Sequence, residues 1–216
     1  MFDGVNMAPP RQHPVLGGIT LVAVLLALTL VSYAVLDKPF ADFSHQFLAR
    51  PQLARWLSEL GDARALGGIG VIVCLVASFT FPKVAKAFAT ALLAFGLAML
   101  TVAFLKHGFG RTWPETWVDN NPSWVTDRVF GFNWMHGGQG YQSFPSGHTA
   151  RTMAPCAVLW VRMPRLKYLW MSLPLVVGLG LLGANFHFVS DCFGGALLGV
   201  IAAHTALYLA PKIGLG

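Results

Sequence analysis

Gly17 to Leu36 is an almost unbroken apolar run, long enough to cross a hydrocarbon layer ~30 Å thick. More such runs follow, from about Ala65 to Phe81, Val84 to Leu105, Ser146 to Met163, Lys167 to Phe186 and Asp191 to Leu209. The chain is 55% hydrophobic and 11% charged, where a soluble domain carries about 25% charged residues. The reading is an all-α, polytopic membrane protein of six transmembrane helices. Its 216 residues make one membrane domain, 1–216, with a short polar, proline-containing tail at Met1–Leu16. A cleaved signal peptide would have an apolar core of only ~7–15 residues, so the first run is read as a retained span.

Between spans one and two, Leu53, Trp56, Leu57 and Leu60 fall at helical spacing opposite Arg55, Ser58, Glu59 and Asp62. Phe40, Phe43 and Phe47 form a similar stripe before Pro51. Both read as short amphipathic helices in the membrane interface. The loop between spans three and four, His107 to Phe144, is long and holds Trp113, Trp117, Trp124 and Trp134 with six glycines. Four tryptophans argue for a folded segment, either an aromatic belt at the headgroups or a cap over a lipid site.

Six spans place both termini on one side, together with Lys83, Lys86, Arg162, Arg165 and Lys167. Arg11 and Lys212 raise that side to seven basic residues against one acid, Asp3, so it is read as cytoplasmic. The long loop then faces outward, which for a bacterial inner membrane means the periplasm. The net charge of +6 is spread thinly and gives no nucleic-acid signal. Cys74, Cys156 and Cys192 suggest neither a disulfide framework nor a metal site and are read as small core residues.

The same parity brings the end of span three, the start of span four, the end of span five and the start of span six to the outer face. There the sequence carries Lys106 and Arg111, then Ser146-Gly147-His148, then His187 and Asp191. Pro145 and Ser146 mark a helix N-terminus, where free amides suit a phosphate. Each residue alone has a plainer use: Ser146 as a cap, Lys106 as a snorkelling anchor, His187 as an interfacial histidine, Asp191 as a cap carboxylate. Together, at hydrocarbon depth, they are functional candidates. His187 and Asp191 are spaced i, i+4, so a helical turn lets the carboxylate hold one imidazole nitrogen and leave the other free to attack.

These residues resemble the type-2 phosphatidic-acid phosphatase and vanadium haloperoxidase superfamily, in its membrane lipid-phosphatase branch. Pro145-Ser146-Gly147-His148 matches the second motif fully, and His187 with Asp191 matches the end of the third. The first motif is partial, Lys106 through Pro114, with Trp113 and Leu181 standing where the family pattern has arginines. The resemblance implies catalysis by His187 as nucleophile, His148 as acid and base, and Asp191 as orienting carboxylate. It assigns phosphate binding to Lys106, Ser146 and Gly147. Arg111 stands as a substitute cation, with Arg151 as a possible extra phosphate-binding residue and Arg128 a weaker candidate. The implied reaction is metal-independent hydrolysis of a phosphate monoester or diphosphate on a membrane lipid through a phosphohistidine, with no cofactor. Transfer to an acceptor lipid or sugar, a catalytically weak relative, and a transporter or haem protein are the alternatives. The substrate lipid and the oligomeric state are left open.

Overall fold

The computed structural model describes residues 14–48, 52–117 and 120–216. Helix α1 (Pro14–Val31) runs through a π-helical turn, Ser32–Leu36, into α2 (Asp37–Phe43) and a second π-helical turn, Ser44–Leu48. Then come α3 (Gln52–Glu59), α4 (Ala63–Thr80), α5 (Pro82–Phe109), the short α6 (Trp124–Asp127), α7 (Gly147–Arg162), α8 (Lys167–Gly183) and α9 (Val189–Leu209). Among the described residues the only β structure is isolated bridges within the long loop and its edges. The fold is all-helical, as the apolar runs require.

Five helical stretches have the length and composition of membrane spans: Gly18–Leu48, Ala63–Thr80, Pro82–Phe109, Pro164–Gly183 and Val189–Ile213. The expected fourth span, α7, is only 16 residues, about 24 Å of helix. It lies at the centre, packed on α5, α8 and α9, with Ala150, Ala154 and Val158 wholly buried. Its neighbours shield it from lipid, which relaxes the length that a lipid-facing helix must meet. Among the described residues, five helical stretches thus have the length and composition of a span, and α7 is a shorter, largely enclosed helix.

The expected break after Leu36 does not occur. The first helix continues past Asp37 because Asp37 is paired internally, to Arg111 and Ser190, and so has no need to reach water. The π turn also suits Pro39, since a widened turn eases the clash of its ring with the preceding carbonyls. The Phe40–Phe43–Phe47 stripe therefore stacks along this extension, ring to ring at 6.0 and 5.2 Å, and is not a separate interfacial helix. Only α3 is separate. Its small face, Ala54 and Ser58, is buried against α8, while Leu53, Trp56 and Leu60 point outward. An outward apolar stripe suits a lipid environment. Of the tail Met1–Leu16, residues 1–13 lie outside the described residues, and the helix already begins at Pro14.

The bundle is close-packed through small residues. Ala87, Ala91, Ala94 and Ala98 of α5 meet Ala154 and Val158 of α7 and Ala202, Ala203 and Ala206 of α9. Lipid-immersed helices gain little from hydrophobic exclusion between one another, so association rests on this close approach. A Cβ at Gly199 would lie 2.7 Å from Met153 Cβ and 2.8 Å from Ala150 O. Large apolar side chains such as Phe79, Leu100 and Phe104 face outward. Gly199→Val should lower stability in detergent by about 1–3 kcal/mol, read as a drop in thermal midpoint. Gly178→Ala, with nothing within 4 Å of the added carbon, should leave the midpoint unchanged or slightly raised.

Candidate active site

Asp191 lies in the first turn of α9 and is fully buried. Its Oδ2 accepts from the Phe188 backbone N–H at 2.9 Å and from Ser143 Oγ at 2.5 Å, and lies 3.3 Å from His187 Nδ1. Its Oδ1 accepts from Arg111 at 2.6 Å. The carboxylate thus caps its own helix and holds the imidazole at once, and both uses weighed from the sequence are realised. His187 sits just before the helix rather than inside it. With Asp191 as acceptor the hydrogen-bond network assigns the proton to Nδ1, leaving Nε2 unprotonated.

The turn that presents His187 is itself pinned. Asn185 has a left-handed φ of 54°, and its side-chain amide donates to Ala41 O and to Glu115 Oε1, each at 3.1 Å. Trp113 lies against the imidazole, ring centroids 5.2 Å apart. Burial pushes the His187 pKa below its ordinary 6.5, outweighing the opposing pull of Asp191.

His187 lines a cavity of about 310 Å³ together with Lys106, Trp113, Trp117, Gly147, His148, Arg151, Leu181 and Phe186. Histidines from α7 and from the α8–α9 turn therefore share one pocket. Beside it α7 begins: Ser146 Oγ accepts from the Thr149 N–H, and Gly147 carries no side chain to block the first-turn amides. Lys106 Cε and Arg151 Nη1 each lie 3.9 Å from where a Cβ of Gly147 would stand. Arg151 Nε donates to Gly61 O in the α3–α4 turn, which aims the rest of its guanidinium at this corner. A Cβ at Gly61 would lie 3.3 Å from His148 Cδ2. The α3–α4 turn thus packs behind His148 and Arg151, a support for the pocket that the motifs do not reveal.

Two expected phosphate ligands are placed elsewhere. Ser146 is fully buried, its N–H donates to Asp191 O at 3.0 Å and its hydroxyl caps α7, so it builds the pocket edge without facing it. Arg111 is also fully buried and is not among the lining residues. Its Nη1 donates to Asp191 Oδ1 and Ser190 Oγ and its Nη2 to Asp37 Oδ2, all at 2.6 Å. Arg128 pairs with Asp42 at 2.8 Å on the surface of the loop. The cations on the pocket wall are Lys106 and Arg151.

The described parts of the long loop are held by hydrogen bonds. Gly110 closes α5 with a left-handed φ of 56°, and a Cβ there would collide with Asn133 O, so glycine is required. Asn133 N donates to Gly110 O, Met135 N to Gly108 O and Ser143 N to Arg111 O. Trp113 Nε1 donates to Gln139 O at 2.9 Å and Trp124 Nε1 to Asp42 at 3.1 Å. Trp113 and Trp117 serve the pocket, while Trp134 is exposed, so the loop is both cap and aromatic surface. His107 stays outside the pocket lining, and no group of three or more His, Cys, Asp or Glu suited to a metal occurs among the described residues.

The PAP2 superfamily matches residues 87–214. That is more than half of the chain, from α5 through α9. The chain belongs to the PAP2 superfamily. It is a membrane-embedded enzyme of the phosphoric ester hydrolase kind. It is 26% identical over 210 residues to a lipid A 1-phosphatase of Rhizobium johnstonii, covering 91% of this chain and 80% of that protein. It is also 32% identical over 71 residues to the bacitracin transport permease protein BcrC of Bacillus licheniformis, about a third of each chain (33% and 35%). In fold it is similar to a transmembrane PAP2-type phosphatidylglycerolphosphate phosphatase from Bacillus subtilis, with a TM-score of 0.61, 21% identity and coverage of 91% and 96%. Against the family pattern, the two missing arginines fall on the pocket wall itself. Trp113 and Leu181, where the resemblance leads one to expect arginines, both line the cavity, so the wall is apolar at those two positions and its cations are Lys106 and Arg151.

Sequence reasoning did not find Ser143, Ser190, Asp37 or Gly61. Asp37 carried a signal, an acid inside an apolar helix; the serines and the glycine carried none. Ser143→Ala removes a hydrogen bond to a buried carboxylate and should cost about 1.5–3 kcal/mol of stability, measured as a lower thermal midpoint, with phosphatase activity falling in parallel.

Proposed function

We propose that the protein hydrolyses a phosphate monoester or diphosphate on a membrane lipid, through a phosphohistidine at His187, at the outer face of the membrane. The observation that carries this is the shared cavity. His187, oriented by Asp191, faces the same space as His148, with Lys106 and Arg151 beside the first turn of α7. Nε2 of His187 attacks phosphorus and the bond from phosphorus to the lipid oxygen breaks. His148 gives that oxygen a proton, then takes one from the water that cleaves the P–N bond. Lys106, Arg151 and the Gly147 turn hold the non-bridging oxygens, while Asp191 stabilises the imidazolium that forms at His187. Phosphoryl transfer rests on positioning and charge, and these groups supply both without a metal.

Trp113, Trp117, Leu181 and Phe186 give the cavity an apolar wall, which favours a lipid over a free sugar phosphate. The relatives that are a lipid A 1-phosphatase and a phosphatidylglycerolphosphate phosphatase support the same class. Isoprenoid diphosphate, phosphatidate, phosphatidylglycerophosphate and lipid A phosphates form the panel to screen. The purely basic short turns support cytoplasmic termini and an outward-facing site. Transfer to an acceptor is the second reading, favoured by the apolar residues at the two arginine positions, since a phosphodiester carries less charge than a monoester. Label from a donor lipid that ends only as free phosphate excludes it.

In detergent with EDTA present, phosphate release from the preferred lipid should persist, and His187→Ala should lower it by roughly 10⁴-fold. Undiminished activity in that variant would remove His187 as nucleophile. The attacking imidazole must be neutral, and burial lowers its pKa. The acid limb of kcat/KM should therefore have its midpoint below 6.5, the ordinary histidine value. A midpoint above 6.5 would contradict the assignment.

A further inference from the structure

Asp37 and Asp191 come from opposite ends of the chain, yet a single guanidinium joins them. Arg111 Nη2 holds Asp37 Oδ2 and Nη1 holds Asp191 Oδ1, each at 2.6 Å, with all three side chains shielded from solvent. Ser190 completes the cluster. Its N–H donates to Asp37 Oδ1 at 2.9 Å and its hydroxyl to Asp37 Oδ2 at 2.5 Å. The π turn Ser32–Leu36 precedes Asp37 and closes with the Asp37 N–H donating to Ser32 O. Inserting one residue into the turn rotates the helix beyond it, the sort of irregularity that re-aims a side chain at a functional site. Phe188, Tyr33, Phe130 and Phe132 surround the guanidinium with ring centroids 4.6–5.2 Å from its carbon. This cage shields the guanidinium from bulk solvent.

We infer that Asp37 and Arg111 are positioning residues of the active site: a buried charge relay that fixes the carboxylate of Asp191 and sets how strongly it stabilises positive charge on His187. The inference rests on the proposed role of His187. It does not concern substrate contact, because neither Asp37 nor Arg111 lines the cavity. The alternative, that the cluster only ties the first helix to α9, predicts no effect on the chemistry of a folded enzyme.

The arithmetic of charge separates the two. With both carboxylates ionised, the cluster of Asp37, Arg111 and Asp191 carries one net negative charge. Asp37→Asn makes it neutral, Arg111→Gln makes it doubly negative, and the two together restore the native value. The other charged or titratable groups around His187 are Lys106 of α5 and His148 and Arg151 of α7. Leu181 of α8 and Phe186 of the α8–α9 turn also line the cavity and do not titrate. None of these changes in the variants.

The test is the pH dependence of kcat and kcat/KM for phosphate release from a lipid phosphate in detergent micelles, on variants shown to be folded by gel filtration and thermal melting. Asp37→Asn should lower kcat roughly tenfold with KM unchanged. It should also move the acid limb of kcat/KM down by about 1 pH unit, because His187 then sits in a more positive field. Asp37→Glu, which keeps the charge, should restore the native limb. The double variant Asp37→Asn with Arg111→Gln should keep the native limb with a lowered kcat, and it carries the test if Asp37→Asn does not fold. A folded Asp37→Asn enzyme with native kcat and native limb would overturn the inference, and so would a rise in KM with kcat unchanged. If His187→Ala is active, the proposed function fails; if it is inactive while the Asp37 variants behave as wild type, only the relay fails.

Discussion

A charge placed among apolar helices must find its partner on the spot, because neither lipid nor protein interior can solvate it. In this protein that demand falls on Arg111, fully buried between Asp37 and Asp191. Breaking such a triad from one side leaves an uncompensated ion, so the three positions are bound to one another. The first helix, the loop after α5 and the start of α9 are therefore fastened at a single point. Through Asp191 that point reaches His187, whose Nδ1 lies 3.3 Å from the same carboxylate.

Close helix packing supplies the second half of the site. His148 can share a cavity with His187 only because α7 lies against α9, where Gly195 and Gly199 leave room for the backbone of Ser146 and Ala150. The junction is also hydrogen-bonded, Ser146 N to Asp191 O at 3.0 Å. Thus the residue that caps α7 and the residue that orients His187 are linked by the main chain. Arg151 extends the arrangement outward by its bond to Gly61 O, which brings the lipid-facing helix α3 into mechanical contact with the cation beside the pocket.

Much of this was legible in the residues. Long apolar runs bordered by proline or glycine locate α4, α5, α8 and α9 to within a few residues, since hydrocarbon leaves the backbone no option but helix. Ser146 announces the start of α7 through its capping chemistry, and the His187–Asp191 spacing announces their contact. What failed, failed for tertiary reasons. Asp37 looks like the end of a span when its partner, seventy-four residues away, is unseen. Arg111 looks like a phosphate ligand when the acids that claim it are unseen. The length of α7 falls short because enclosure by neighbours is not a local property of sequence. Trp113 and Leu181 stand out as departures from the family motif, but only the cavity shows that both lie on its wall.

With His187 as nucleophile, phosphorus passes through its Nε2 atom as a covalent intermediate. The most direct measurement is to incubate the protein with a ³²P-labelled lipid phosphate, quench in alkali during turnover, and map the label by peptide mass. An acid-labile, alkali-stable phosphohistidine is expected on the peptide containing Asn185, Phe186 and His187, and none in His187→Ala. Label on His148, on a carboxylate, or on no residue while phosphate is still released would contradict that assignment.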